Sequence, residues 1–267
     1  MKLKLKNREG FVFDEGSHTY QLNGQLLTGV TTILNVRAKD FLKWWTVKLM
    51  FETLAPKLKE VQGITQEMWI QILGEAKQAH RTKTKEALNS GTVAHDAIEA
   101  YIKDRIAGIE QPITAEIKDE MAKASFAAFR EWERANSVEW LASEIQLASV
   151  VNMVGGTVDA VARINGVLTV LDFKTSNQIS EDVALQTAAY LILLEENLDD
   201  DTEKPQQRAV LRIPKDGGAF EYQRIDSDLA FDKKTFINLR ECHRWNVYIK
   251  NNFTEGGEYD RKIKLQK

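Results

Sequence analysis

The dipeptide Asn165-Gly166 constrains this chain more than any other feature. In GGTVDAVARINGVLTVLDFKTSN, running from Gly155 to Asn177, it is flanked by β-branched runs. Both residues of a two-residue hairpin turn must accept positive φ, and Asn-Gly is the strongest short-range signal for one. Such a turn fixes register. Ile164 is expected opposite Val167, Arg163 opposite Leu168, Ala162 opposite Thr169, Val161 opposite Val170 and Ala160 opposite Leu171. One step further sets Asp159 against Asp172 on a single face, with β-carbons about 5 Å apart. Lys174 shares that face, because strand side chains alternate with a period of two.

Like charges so placed repel, and a carboxylate inside a strand is costly unless something pairs with it. A cation between the two acids would resolve both problems. An Asp-x-Lys at a strand end also arises by chance, and an exposed edge strand carries charges simply for solubility. The neighbouring residues argue otherwise. Val158, Ala160, Ala162 and Leu171 are expected on one face, and Val161, Leu168 and Val170 on the other. A sheet apolar on both faces is covered by helices on both sides, and acids within it are more often ligands.

With 267 residues, 43% of them hydrophobic, the chain can bury a sizeable core as one large domain or two small ones. Cys242 is the single cysteine, which excludes a disulfide framework and a cysteine-held zinc or iron–sulfur site within one chain. No apolar run approaches a membrane span, and MKLKLKNREG lacks the apolar centre of a signal peptide. A soluble, intracellular protein without a membrane partner is expected. The net charge of −3 argues mildly against nucleic acid, but distribution matters more than the sum. Basic residues gather at Lys2–Arg8, Lys39–Lys48, Arg81–Lys85 and Arg261–Lys267, acidic ones at Glu195–Glu203 and from Glu116 to Glu133.

A second Asn-Gly hairpin is expected from Tyr20 to Leu27 around Asn23-Gly24, leading into a helix. DFLKWWTVKLMFETLA reads as helical, with Phe41, Trp44, Trp45, Leu49 and Phe51 or Leu54 near helical spacing. Trp44 and Trp45 beside Lys43 and Lys48 could stack on bases, but tryptophan in an amphipathic helix is more often core. Trp69–Ile109 is expected to be helical with a break at Asn89–Thr92, where Ser90 caps a helix carrying His95 and Glu99 on one face. An amphipathic helix follows, with Ile117, Met121, Phe126, Phe129 and Trp132 on its apolar stripe. Three strands come next (Trp140–Val150, Thr157–Ile164, Val167–Phe173), then a helix over Glu181–Glu196 and a strand at Ala209–Ile213. An edge strand at Phe220–Arg224 and a helix from Ser227 to Ile249 complete the chain. This order implies an α/β fold with a mixed sheet and helices on both faces.

Four features stand in one order: His95 on a helix, Glu144 on the first strand, Asp159 on the second and Asp172-Phe173-Lys174 on the third. The next helix carries Gln186 and Tyr190, four apart and on one face. The motifs GTVAH (Gly91–His95), GTVD (Gly156–Asp159), LDFKT (Leu171–Thr175) and QTAAY (Gln186–Tyr190) resemble the RecB-type branch of the PD-(D/E)xK nuclease superfamily. The resemblance covers Gly91 to Tyr190. HTYQLNGQLLTGVTTIL (His18–Leu34) more loosely resembles the N-terminal segment of the mitochondrial genome maintenance exonuclease and related phage exonucleases. The chain departs from relatives bearing an iron–sulfur cluster, including the CRISPR adaptation nucleases, in lacking their four cysteines.

The resemblance implies a restriction-endonuclease-like core, residues 89–267, behind an N-terminal hairpin and helical region, residues 1–88, that covers the site. It implies metal-dependent hydrolysis of DNA phosphodiester bonds, by an exonuclease on single-stranded or end-processed DNA in replication or recombination. An endonuclease, or an inert DNA-binding subunit of the same fold, is the alternative; the intact Asp-Asp-Lys set speaks against the latter. Asp159 and Asp172 would ligate Mg²⁺ or Mn²⁺, hard ions that favour carboxylate oxygen. His95 would add a nitrogen ligand and Phe173 its backbone carbonyl. Lys174 would orient the attacking water or stabilise the phosphorane. Gln186 and Tyr190 would position water, lysine or DNA, and Glu144 would serve as a further acid. Cytoplasm of a bacterial or phage-infected cell is the implied location. Oligomeric state stays open, a ring-forming trimer or a recombination partner included.

Overall fold

A computed structural model describes residues 3–37, 40–57, 65–109 and 117–253; the basic run Arg261–Lys267 lies outside them. Asn165 and Gly166 take φ of +49° and +88°, as their turn requires. They join β5 (Val154–Ile164) to β6 (Val167–Lys174) in the expected register, from Ile164 opposite Val167 to Ala160 opposite Leu171. The ladder ends there, one residue short of the two acids. Asn23 and Gly24, at +51° and +77°, likewise join β2 (Thr19–Leu22) to β3 (Gln25–Gly29) with Tyr20 opposite Leu27. A strand not read from the sequence, β1 (Phe11–Asp14), pairs with β2.

Strand β4 (Val138–Ser149) runs antiparallel along the whole of β5 and so occupies one of its edges. Two strands share the other edge. β3 pairs in parallel at Val154 and Gly155, and β6 antiparallel at Ala160–Ile164. Residues 156–159 therefore lie in a fork between β3 and β6. β7 (Gln207–Arg212) adds in parallel to β6 and β8 (Glu221–Arg224) antiparallel to β7, giving one mixed sheet of eight strands.

Helices cover both faces. On one, α1 (Val30–Leu34), α5 (Asp182–Asn197) and α6 (Leu229–Phe253) pack Ile33, Leu193 and Phe236 against Val161, Leu168 and Val170. On the other, α3 (Gln66–Ile106) and α4 (Glu120–Ala135) pack Ile98, Phe129 and Trp132 against Ala160, Ala162, Leu171 and Phe173. Phe129 is fully buried, contributing about 2–3 kcal/mol by transfer from water. The result is an α/β fold with a mixed sheet covered by helices on both faces, as the sequence order implied.

Three expectations need correction. Val158 packs with Val161 and Val170, not with Ala160 and Ala162. The pleat slips at Asp159, beside which Glu144 of β4 holds a left-handed φ of +48°. Helix α3 runs unbroken through Asn89–Thr92, and Ser90 donates to Asp119 Oδ2 at 2.9 Å instead of capping a new helix. Trp44, on α2 (Asp40–Lys57), is 75% exposed, so it is not a core tryptophan; among the described side chains of this helix Leu49 is buried, and Phe41 lies outside them.

Candidate active site

The fork in the sheet opens into a cavity of about 1550 Å³. His95, Glu144, Asp159, Phe173, Lys174, Gln186 and Tyr190 all line it, while Asp172 is wholly buried directly beneath. Each arrives from a different element: α3 supplies His95, β4 Glu144, β5 Asp159, β6 the Asp172–Lys174 run and α5 the last two. Divergence of β6 from β5 beyond Leu171 frees the Phe173 N–H, which donates to Asp159 Oδ2 at 2.8 Å. Asp159 thus closes the ladder with its side chain where the backbone no longer reaches.

Lys174 is the hub. Its Nζ donates to Asp172 Oδ1 at 2.9 Å and to Gln186 Oε1 at 3.1 Å. Gln186 Nε2 in turn donates to the Tyr190 hydroxyl at 2.7 Å, as residues four apart on a helix allow. The ammonium also lies 2.7 Å from Asp172 Oδ2, so it forms an ion pair with both carboxylate oxygens, although Oδ2 receives no aligned N–H.

Burial and mutual repulsion govern the charges. Desolvation, then the Asp159 charge, push Asp172 up to about 6 against the pull of Lys174. Desolvation also raises Asp159, with Lys174 and the Phe173 N–H opposing it. Glu144 is pushed up to about 8 by burial, then by Asp159 and Glu99. His95 is lowered, first by desolvation and then by Lys174, so it is neutral at pH 7 with a lone pair to offer. Tyr190 is held well above its usual range by burial and the two aspartates.

Among the described residues, no group of three His, Cys, Asp or Glu side chains is gathered at metal-ligating range. The carboxylates are engaged by Lys174 and the Phe173 N–H instead. The donor set still suits a divalent metal: hard carboxylate oxygens, a neutral imidazole, and a buried Asp172 oxygen that receives no aligned N–H.

Sequence reasoning missed several residues of this cavity. Asp96 follows His95 and adds to the field on Glu144, and Lys215 follows β7. Neither sits in a recognisable motif. The N-terminal hairpin also reaches the cavity through His18 and Tyr20, and α2 through Trp45. Tyr20 anchors the hairpin by a 2.8 Å hydrogen bond between its hydroxyl and Thr157 Oγ1.

With this geometry in hand, comparison with known proteins is direct. The family model of the PD-(D/E)XK nuclease superfamily matches residues 71–256. The chain belongs to that superfamily, whose members are nucleases that typically use divalent metal ions such as Mg²⁺. A search of curated proteins finds no match. A solved structure titled "Crystal structure of SSO0001" is similar over 58% of this chain and 74% of its own, at 16% identity and a TM-score of 0.29. Among the described residues, no helix is long and apolar enough to cross a membrane.

Proposed function

We propose that the protein is a RecB-type exonuclease, akin to the phage and mitochondrial exonucleases, that degrades single-stranded or end-processed DNA during replication or recombination. The observation that carries this reading is the shared cavity. The same space is lined by Asp159 and Lys174 from the sheet and by His18, Tyr20 and Trp45 from the N-terminal region. Residues 1–88 act as a cover over the nuclease core, residues 89–267, with α3 common to both. A covered site admits a free end more readily than a closed circle. Trp45 within the cavity and Trp44 exposed beside it suit stacking on bases, which tolerates any sequence.

His95, Asp159, Asp172 and the Phe173 carbonyl would hold the metal, Mg²⁺ or Mn²⁺. When bound, a divalent ion lowers the pKa of water and neutralises charge on the phosphate. The remaining chemistry belongs to the chain. Lys174 presents its ammonium to the developing phosphorane charge, and Gln186 fixes its direction through the 3.1 Å hydrogen bond. Tyr190 fixes Gln186. Glu144, protonated at neutral pH, adds an acid at the rim of the fork.

The test compares linear and circular single-stranded DNA of matched length with Mg²⁺ or Mn²⁺. Degradation of the linear form alone is expected. Comparable cleavage of both would replace the exonuclease by an endonuclease of the same fold.

A further inference from the structure

Gly91 is buried in the middle of the 41-residue helix α3, where glycine is among the poorest residues. Its missing side chain lets two side chains pack directly against the helix. A β-carbon there would stand 3.0 Å from Thr175 Oγ1 and 3.3 Å from Lys215 Nζ. A hydroxyl and an ammonium thus converge on bare backbone, all three within the cavity. Thr175 follows Lys174 directly, and Gly91 lies four residues before His95, about 6 Å along the helix on the same face.

We propose that Gly91, Thr175 and Lys215 form a phosphate-binding subsite, which holds a DNA phosphate next to the one being cleaved. The inference rests on the nuclease reading and names the second phosphate that reading leaves unassigned. Two donors of different kind, one cationic, suit tetrahedral phosphate oxygens, and charge-assisted hydrogen bonds are the stronger class. The Lys215 charge reaches the metal-binding end of the cavity, since it helps to depress His95. Asp119 sits in the field of Lys215. A glycine at position 91 lets Thr175 and Lys215 converge where a β-carbon would push them apart.

Steady-state cleavage of oligonucleotides by the full chain with Mg²⁺ tests this, using Lys215→Gln, Lys215→Arg and Gly91→Ala. Lys215→Gln is expected to raise KM at least fivefold, more than it lowers kcat, with Lys215→Arg recovering most of the loss. The slope of log affinity against log salt should fall by about 0.7, the share of one phosphate on a single strand. Gly91→Ala should raise KM without a change in salt slope, and alanine favours the helix, so folding is retained. One substrate arm replaces the linkage beside the scissile bond by neutral methylphosphonate; another compares phosphorylated with hydroxyl ends. Loss of discrimination by Lys215→Gln in the first arm assigns an internal phosphate, and in the second a terminal one. Unchanged KM in both Lys215→Gln and Gly91→Ala would overturn the subsite while leaving the nuclease intact. Absence of any DNA cleavage by the unaltered protein would overturn the nuclease reading, and the subsite with it.

Discussion

Asp159 Oδ2 accepts a hydrogen bond from the backbone N–H of Phe173 at 2.8 Å, across the point where β5 and β6 part. One carboxylate therefore both closes the sheet and borders the cavity. Replacing it has two separable consequences. Asp159→Asn keeps an oxygen acceptor for the N–H but loses the charge, so cleavage should fall at least a hundredfold while Tm changes little. Asp159→Ala strips the acceptor as well and should cost a further 1–3 kcal/mol. Thermal melts of both variants beside activity assays separate the two.

The metal-free protein should become less stable as pH rises from about 4 to about 8. A carboxyl whose pKa is higher folded than unfolded holds its proton longer in the folded state, so stability falls as pH climbs between the two values. Asp172, raised to about 6, and Glu144, raised to about 8, both act in this direction. Asp172 alone accounts for roughly 3 kcal/mol. Melts across this range should show the decline without metal, and excess Mg²⁺ should flatten it above pH 6.

Glu144 carries a left-handed φ of +48° within a strand, which costs a non-glycine residue about 1–2 kcal/mol. Glu144→Gly should relieve both this strain and the buried charge, raising metal-free Tm at pH 9. Glu144→Gln relieves only the charge. A higher Tm for the glycine variant than for glutamine measures the strain; equal values would show that the left-handed residue costs nothing here.

Docking of the N-terminal hairpin depends on Gly155. A β-carbon there would stand 2.4 Å from Cβ and Cγ of Tyr20, a contact no side chain tolerates. Gly155→Ala should therefore destabilise by about 1–3 kcal/mol. Adding Tyr20→Gly removes both the opposing β-carbon and the ring, so the double variant should lose less than the two single losses combined.

What the sequence made legible was local. Asn165-Gly166 dictates its own turn conformation, so the register from Ile164–Val167 to Ala160–Leu171 followed from pairing alone, while the two acids lie one step beyond the end of the ladder. The four-residue spacing of Gln186 and Tyr190 likewise anticipated their hydrogen bond. What stayed hidden depends on distant partners. Gly91 reads as a helix breaker until Thr175 and Lys215 are seen against it. The parallel pairing of β3 with β5 joins segments more than a hundred residues apart, and no local signal encodes it. The slip at Asp159 arises beside Glu144, whose positive φ no propensity foretells.

Lys174 joins Asp172 to Gln186 and is the residue on which the chemistry turns. Lys174→Ala leaves Asp172 buried without its cation, and breaking such a pair costs about 3–5 kcal/mol. The loss should be larger at pH 8 than at pH 5, where Asp172 takes up a proton. The most direct measurement is therefore single-turnover cleavage of end-labelled single-stranded DNA by Lys174→Ala, with Mg²⁺ or Mn²⁺ and with folding verified by melting in the same buffer. A loss of at least a thousandfold in rate, with DNA still bound, is expected. A folded Lys174→Ala protein that cleaves at the unaltered rate would contradict the assignment of this site.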